Sequence, residues 1–447
     1  MEQELIQKLA GSIEQTAAID AELFRRYGVK RGLRNEDGTG VLVGLTKIGD
    51  VVGYTQDDQG RVTPAPGRLL YRGYDVSSMV QAFIGEQRFG FEEVAYLLLS
   101  GQLPDEDELG QFRQMVIEQM PLSHEAIMSI LALRGTNVMN ILARSVLELY
   151  NYDPDPENMS QQHTMEQSIR LISCFPTIIA YAYNELRHQT LKMPLHIRLP
   201  KPELSLAENF LYILRKTYTE LDARVLDLLL VLQAEHGGGN NSAFTVRVTS
   251  STMTDIYSSI AAGIGSLKGP LHGGANLAVA SMMDYLHEAV QNWTDAEEVR
   301  ACLQRILSKE AYDGKGLIYG IGHAVYTISD PRVEQIRMLA GQLAAEKGRT
   351  DELDFLDLVA QEAVPLVSQA KKKGAPVSIN LDYYSGFLYD LIGIPRELYT
   401  PMFAMARIVG WVAHRIEEIN FSGRRIIRPA YRNVLTNEAT YVPLSQR

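Results

Sequence analysis

The chain has 447 residues, 46% of them hydrophobic and 22% charged, which is a globular composition rather than a disordered or fibrous one. Its formal net charge of -11 excludes a general nucleic-acid binder, and its two cysteines, Cys174 and Cys302, exclude a disulfide scaffold and a Cys-rich metal site. No apolar run approaches the roughly 20 residues of a membrane span; the longest lies around 225–232.

The length predicts two to four domains. The N-terminus carries Glu2, Glu4 and Glu14 and lacks the apolar stretch of a signal peptide; its acidity argues against a transit peptide. These features predict a soluble, cytoplasmic protein. Segment 33–42 is rich in Asn, Asp and Gly and reads as a surface loop. Segment 63–71, with Gly67, reads as a small hairpin or an extended piece. Apolar residues spaced three and four apart predict helices over 91–99, 124–133, 166–184, 207–217, 223–234, 276–290 and 400–416. Segment 151–162 is a second polar loop. Pro194, Pro200 and Pro202 should interrupt the helices over 187–205. In 276–290 the set Val279, Met282, Met283, Leu286 and Val290 marks one buried face. The run Lys371, Lys372, Lys373 reads as a solvated helix end, and 377–381 as a second short strand. Both thiols lie in apolar helical runs and read as small core residues.

Four Gly-rich or His-bearing stretches in the second half carry the chemistry: 236–240, 269–276, 320–332 and 380–386. In 269–276, Pro270 and the Gly273-Gly274 pair set His272 just before a helix N-terminus. The dipole there disfavours an imidazolium, so a neutral His272 could donate to a developing oxyanion; a His that only caps the helix fits equally well. In 320–332, two glycines precede His323, which leaves either a ligand approach or a tight turn. The G-x-G-x-x-G dinucleotide pattern is not completed, because position 325 is Val. Asp382 sits in an apolar, aromatic stretch, as a candidate general base or as a helix cap. Arg407 lies in an apolar helix and needs an anionic partner, either a substrate or a structural carboxylate; Arg332 and Arg428 are further isolated cations. His163, His188 and His287 lack companions at metal-ligand spacing, so no metal site is expected.

Together these stretches resemble the citrate synthase family. Segment 269–276 resembles its G-P-L-H-G-x-A-N motif, 320–332 its G-x-G-H-x-V-x(4)-D-P-R motif, and 380–386 its aspartate segment. Residues 236–240 resemble its H-x-G-G-N stretch, and 403–410 with Arg428-Pro429 its later arginine sites. Order and separations agree over roughly 60–435. The resemblance implies a mainly α fold of two domains. The large, discontinuous helical domain would comprise 1–274 and 391–447, and the small inserted domain 275–390. It implies a homodimer that condenses acetyl-CoA with oxaloacetate and water to citrate and CoA, without a cofactor.

By the same resemblance, Asp382 takes a proton from the acetyl methyl group. His272 stabilises the enol(ate) oxygen, and His323 polarises the oxaloacetate carbonyl. His236, Arg332 and Arg407 hold the dicarboxylate, and Arg428 is donated across the dimer interface. Leu317, Ile318, Tyr319, Gly320, Ile321 and Gly322 line the CoA site, with Lys315, Arg72 and Arg187 as further CoA contacts. Ala324 stands where many bacterial members carry Arg, so the pattern is closer to the mitochondrial type. The absence of an obvious extra N-terminal domain argues against the NADH inhibition known in some bacterial members. Two alternatives stay open: a 2-methylcitrate synthase using propionyl-CoA, from which one methyl group separates the activities by only about 1–3 kcal/mol, and a non-catalytic dicarboxylate- or acyl-CoA-binding relative.

Overall fold

The computed structural model describes residues 2–35, 38–57, 59, 61–371, 376–435 and 439–446. The chain divides into two compact units, Met1–Leu45 and Thr46–Arg447. In the first, helices Glu2–Ala17 and Ala21–Arg26 bury none of their own residues. The side chain of Asp20 caps the second helix by accepting from the Glu22 N–H. The loop predicted over 33–42 is irregular, closed by a bridge between Arg34 and Gly40; its residues 36 and 37 lie outside the described ones.

The second unit is helical around one core. Its centre is helix Tyr399–Asn420, which buries Ala404 to Arg415 without a break. A helix buried on all sides must be surrounded, and Gln161–Leu191, Glu220–Gln233, Asn241–Ser250 and Ile256–Lys268 pack against it. The seven predicted helices all form. The one expected over 166–184 runs from Gln161 to Leu191 with Pro176 inside it. It ends at Lys192, in the left-handed region at φ 55°, before the predicted proline-rich interruption. The loop predicted over 151–162 starts with a short 3-10 turn at Tyr150–Tyr152 and ends where Ser160 caps the long helix. Val279, Met282, Met283, Leu286 and Val290 are buried as expected, and Cys174 and Cys302 are buried free thiols.

Three antiparallel strands form the sheet among the described residues: β1 (Gly49–Gln56), β2 (Val62–Tyr71) and β3 (Tyr74–Asp75), in that order. β2 is the predicted extended segment. The strand expected over 377–381 does not form. Ile379 makes a single bridge to Ile321, flanked by Gly322 N–H to Ser378 O at 2.7 Å and Asn380 N–H to Gly320 O at 2.9 Å. The reason is the partner: Gly320 and Gly322 adopt φ of 82° and 102°, which an extended ladder does not tolerate. Helix Thr350–Ala370 ends at the Lys371 cap, and Lys372 and Lys373 lie outside the described residues. None of the described helices is long and apolar enough to cross a membrane.

Candidate active site

Four loops at helix ends converge. His236 follows helix Glu220–Gln233, where Gly237 takes φ 80° to turn the chain. His272 lies three residues before Ala275, the first residue of helix Ala275–Ala289, whose cap is Gly274 without a side-chain bond. His323 lies in the loop that leads into helix Pro331–Lys347, and Arg332 in that helix's first turn. Asp382 opens helix Asp382–Ile392. The bridge at Ile321 and Ile379 ties the third loop to the fourth, and the Asn380 Nδ2 donor reaches Gly322 O at 3.0 Å.

The imidazoles are set by their hydrogen bonds. His323 Nδ1 accepts from the N–H groups of Val325 and Tyr326, at 3.0 and 2.9 Å. In the neutral ring the proton therefore sits on Nε2, which makes that nitrogen a donor. His272 Nε2 lies 3.3 Å from the Ser242 N–H and 3.0 Å from its hydroxyl. The backbone donor makes Nε2 the acceptor and puts the proton on Nδ1. Burial, with the charge of Arg407, pushes the His272 imidazolium down to about 4, so the ring is neutral at pH 7. His272 is thus no helix cap. His236 is buried, its ring edge-on to His323 at 5.2 Å and to Tyr326 at 5.5 Å. Burial and the cations Arg332 and Arg407 hold it well below the usual histidine range, and its Nε2 has no hydrogen-bond partner among the described residues.

The arginines divide. Arg332 is buried in a bidentate pair with Asp330, Nε–Oδ1 2.9 Å and Nη2–Oδ2 2.7 Å, so one carboxylate already answers its charge. Arg407 is 1% exposed, donates Nε to Gln233 O at 2.8 Å, and lies over the Phe403 ring at 4.8 Å. It forms no ion pair among the described residues, and its Nη1 has no partner. Burial pushes the guanidinium down to about 10. Asp382 is half-buried and makes no cap, since Leu381 is the cap residue and no side-chain bond forms there. Burial raises its carboxyl to about 6, against the pull of Arg332 and Arg407.

Other expected positions lie elsewhere. Arg428 is exposed in the irregular segment after Asn420. The guanidinium of Arg72 donates twice to Leu98 O, at 3.1 and 2.7 Å, and so closes a helix end. Arg187 lies over Tyr183 at 5.7 Å, on the long helix. Lys315 is exposed, 3.6 Å from Asp313. In the 317–322 stretch Ile318 is buried, Leu317 is exposed, and Tyr319 donates to Asp313 at 2.6 Å. Gly320 is required, because a Cβ there would lie 2.7 Å from Tyr383 and 2.9 Å from Val279.

Four residues were not singled out by sequence. Ser242 sets the His272 tautomer from 30 residues away. Tyr326 stacks on His323, and its buried hydroxyl has no partner among the described residues. Asp330 neutralises Arg332 and caps its helix. Glu235 is fully buried beside His236. A signal existed for two of them: Tyr326 and Asp330 lie inside the 320–332 stretch.

Comparison with known proteins follows the same residues. The family model described as Citrate synthase, C-terminal domain, matches residues 36–430. The citrate synthase of Acidithiobacillus ferridurans is 33% identical over 406 residues, which span 89% of this chain and 97% of that protein. The 2-methylcitrate synthase of Shewanella oneidensis is 33% identical over 382 residues, 85% of this chain and 92% of that one. Among solved structures, citrate synthase from the archaeon Thermoplasma acidophilum, in a ternary complex with carboxymethyl coenzyme A and oxaloacetate, matches with a TM-score of 0.75. It is 26% identical, and the match covers 94% of this chain and 99% of that one.

Proposed function

The chain belongs to the citrate synthase family, and we propose that it condenses acetyl-CoA with oxaloacetate and water to give citrate and CoA. The observation that carries this reading is the buried Arg407 guanidinium, whose Nη1 has no partner among the described residues, together with a carboxyl raised to about 6 at Asp382. A buried guanidinium without a direct ion pair is costly, and an anion that reaches it offsets that cost. A dicarboxylate is such an anion.

The side chains then divide the chemistry. Asp382, ionised above about pH 6, removes a proton from the acetyl methyl group. The Nδ1–H of neutral His272 donates to the thioester oxygen, where the enolate charge develops. His323 Nε2–H donates to the keto oxygen of oxaloacetate and protonates it as the carbon–carbon bond forms. Water then cleaves the citryl thioester, releasing citrate and CoA. Arg332, Arg407 and His236 hold the carboxylates. Arg428, exposed in its own chain, reaches the site of a partner subunit in a homodimer. Residues 275–390 act as the small domain that closes over substrate, and the 317–322 backbone lines the CoA adenine.

Thiol release tests this. Purified protein should liberate CoA from acetyl-CoA only when oxaloacetate is present. A parallel assay with propionyl-CoA compares the 2-methylcitrate activity of the Shewanella relative. No oxaloacetate-dependent release with either donor, from folded protein, would sink the reading.

A further inference from the structure

Behind His236 lies a carboxylate to which the reaction described above gives no part. Glu235 is 0% exposed. Its Oε1 accepts from the Gly237 N–H and, at 2.9 Å, from His414 Nε2. The His414 tautomer is fixed from its other side. Its Nδ1 accepts from Arg247 Nε and Nη2 at 3.1 and 2.7 Å, so Nε2 carries the proton that goes to Glu235. Arg247 is in turn paired with Glu418, at 2.9 Å, and with Glu417. That guanidinium is therefore already balanced by two carboxylates.

The other oxygen of Glu235, Oε2, has no hydrogen bond among the described residues. Two glycines make room for this side chain. A Cβ at Gly49 would lie 2.7 Å from its Cγ, and a Cβ at Gly410 would collide with Oε2. The same Cβ at Gly410 would lie 3.4 Å from Cδ of Arg407, so Glu235 and Arg407 border one spot on helix Tyr399–Asn420. Arg407 is likewise buried and forms no ion pair among the described residues. Among the described residues neither Glu235 nor Arg407 pairs with an oppositely charged Lys, Arg, Asp or Glu side chain, and both border Gly410.

We infer that Glu235 is a positioning residue. It holds the His236 turn through Gly237 and balances the Arg407 charge through space, at a separation that leaves Arg407 Nη1 free for a substrate carboxylate. A carboxylate in direct contact would compete with that substrate, and none at all would leave a buried cation uncompensated. His414 and Arg407 together hold the Glu235 carboxyl below its usual range despite complete burial, which agrees with a charged group. The inference about substrate rests on the condensation proposed above; the charge pairing does not.

The test is E235Q. The amide oxygen can keep both bonds of Oε1, and the amide nitrogen takes the place of Oε2. The charge is lost and two buried N–H donors are gained in both backgrounds, so the difference between the backgrounds reads the charge. In the empty full-length protein E235Q should lower Tm. In an R407L background, where Glu235 is itself the uncompensated ion, E235Q should raise Tm. Equal shifts of one sign in both backgrounds would overturn the pairing. By calorimetric titration, E235Q should bind oxaloacetate about 3- to 10-fold tighter than wild type, because the ligand becomes the missing counter-charge. Unchanged or weaker affinity would overturn the role toward substrate; this arm needs no second variant. Wild type that fails to bind oxaloacetate, with the sign reversal intact, would refute the proposed reaction and leave the charge pairing standing.

Discussion

The ring of Tyr326 stacks on that of His323, with centroids 4.6 Å and planes 28° apart. The same ring meets the edge of His236 at 5.5 Å and lies under the Arg332 guanidinium at 5.7 Å. One aromatic side chain therefore supports three of the groups proposed to hold oxaloacetate. Tyr326→Ala should cost about 10- to 100-fold in kcat/KM, because a loosened ring misaims the His323 donor. Tyr326→Phe keeps the stack and removes a buried hydroxyl that has no partner among the described residues, so its Tm should match or exceed that of wild type. Steady-state kinetics and scanning calorimetry on both variants check this. An Ala variant with wild-type kinetics would remove the supporting role.

The raised carboxyl of Asp382 makes two predictions of linked sign. As a base it must be ionised, so kcat/KM should fall about tenfold per unit as pH drops below about 6. His272, with a value of about 4, stays neutral over that range and should not add a second limb. For stability, a carboxyl whose folded value lies above its usual 3.8 contributes most at low pH and loses that contribution as pH rises through about 6. Above pH 6 the wild type thus bears a penalty of at most ~3 kcal/mol. Asp382→Asn should abolish turnover and raise Tm at pH 8. The gain should shrink toward pH 4. Unfolding curves at both pH values decide; a gain of the same size at pH 4 and pH 8 would contradict the assignment.

The hairpin acts on the site by contact. Gly53 of β1 approaches the loop so closely that a Cβ there would overlap Val325 O and lie 2.9 Å from the Tyr326 Cα. Its carbonyl accepts from Thr327 Oγ1 at 2.8 Å, and Gly67 N–H of β2 donates to Ser329 Oγ at 3.2 Å. Gly53→Ala should push the His323 loop outward and lower kcat by about 100-fold, the scale of a 1 Å misplacement. Gly341→Ala is the control. It lies inside helix Pro331–Lys347 with nothing within 4 Å of an added methyl, so it should stabilise by about 0.5–1 kcal/mol and leave kcat alone. Matching kinetics for the two variants would show that the hairpin does not hold the loop.

Arg407→Leu should weaken oxaloacetate binding by about 2–5 kcal/mol, read as a rise in Kd by titration, because it removes the buried donor at Nη1. An unchanged Kd would mean that Arg407 serves the fold alone.

Much of this protein was legible along the chain. Apolar residues three and four apart marked the helices, because helix periodicity is local. The glycines around His272 and His323 and the isolated Asp382 marked the candidate site, because tight turns and buried charges are rare without cause. The strand expected over 377–381 failed, since pairing depends on a partner, and the partner here is a glycine turn with positive φ. Ser242, which fixes the His272 proton, and Glu235, which faces Arg407 across 172 positions of sequence, had no local signature. Composition and periodicity decided which segments become helices and which loops can carry chemistry. Which nitrogen holds a proton, which arginine stays unpaired and which glycine admits a neighbour were decided only by packing. Those properties depend on atoms within a few ångströms in space, which the order of residues leaves open.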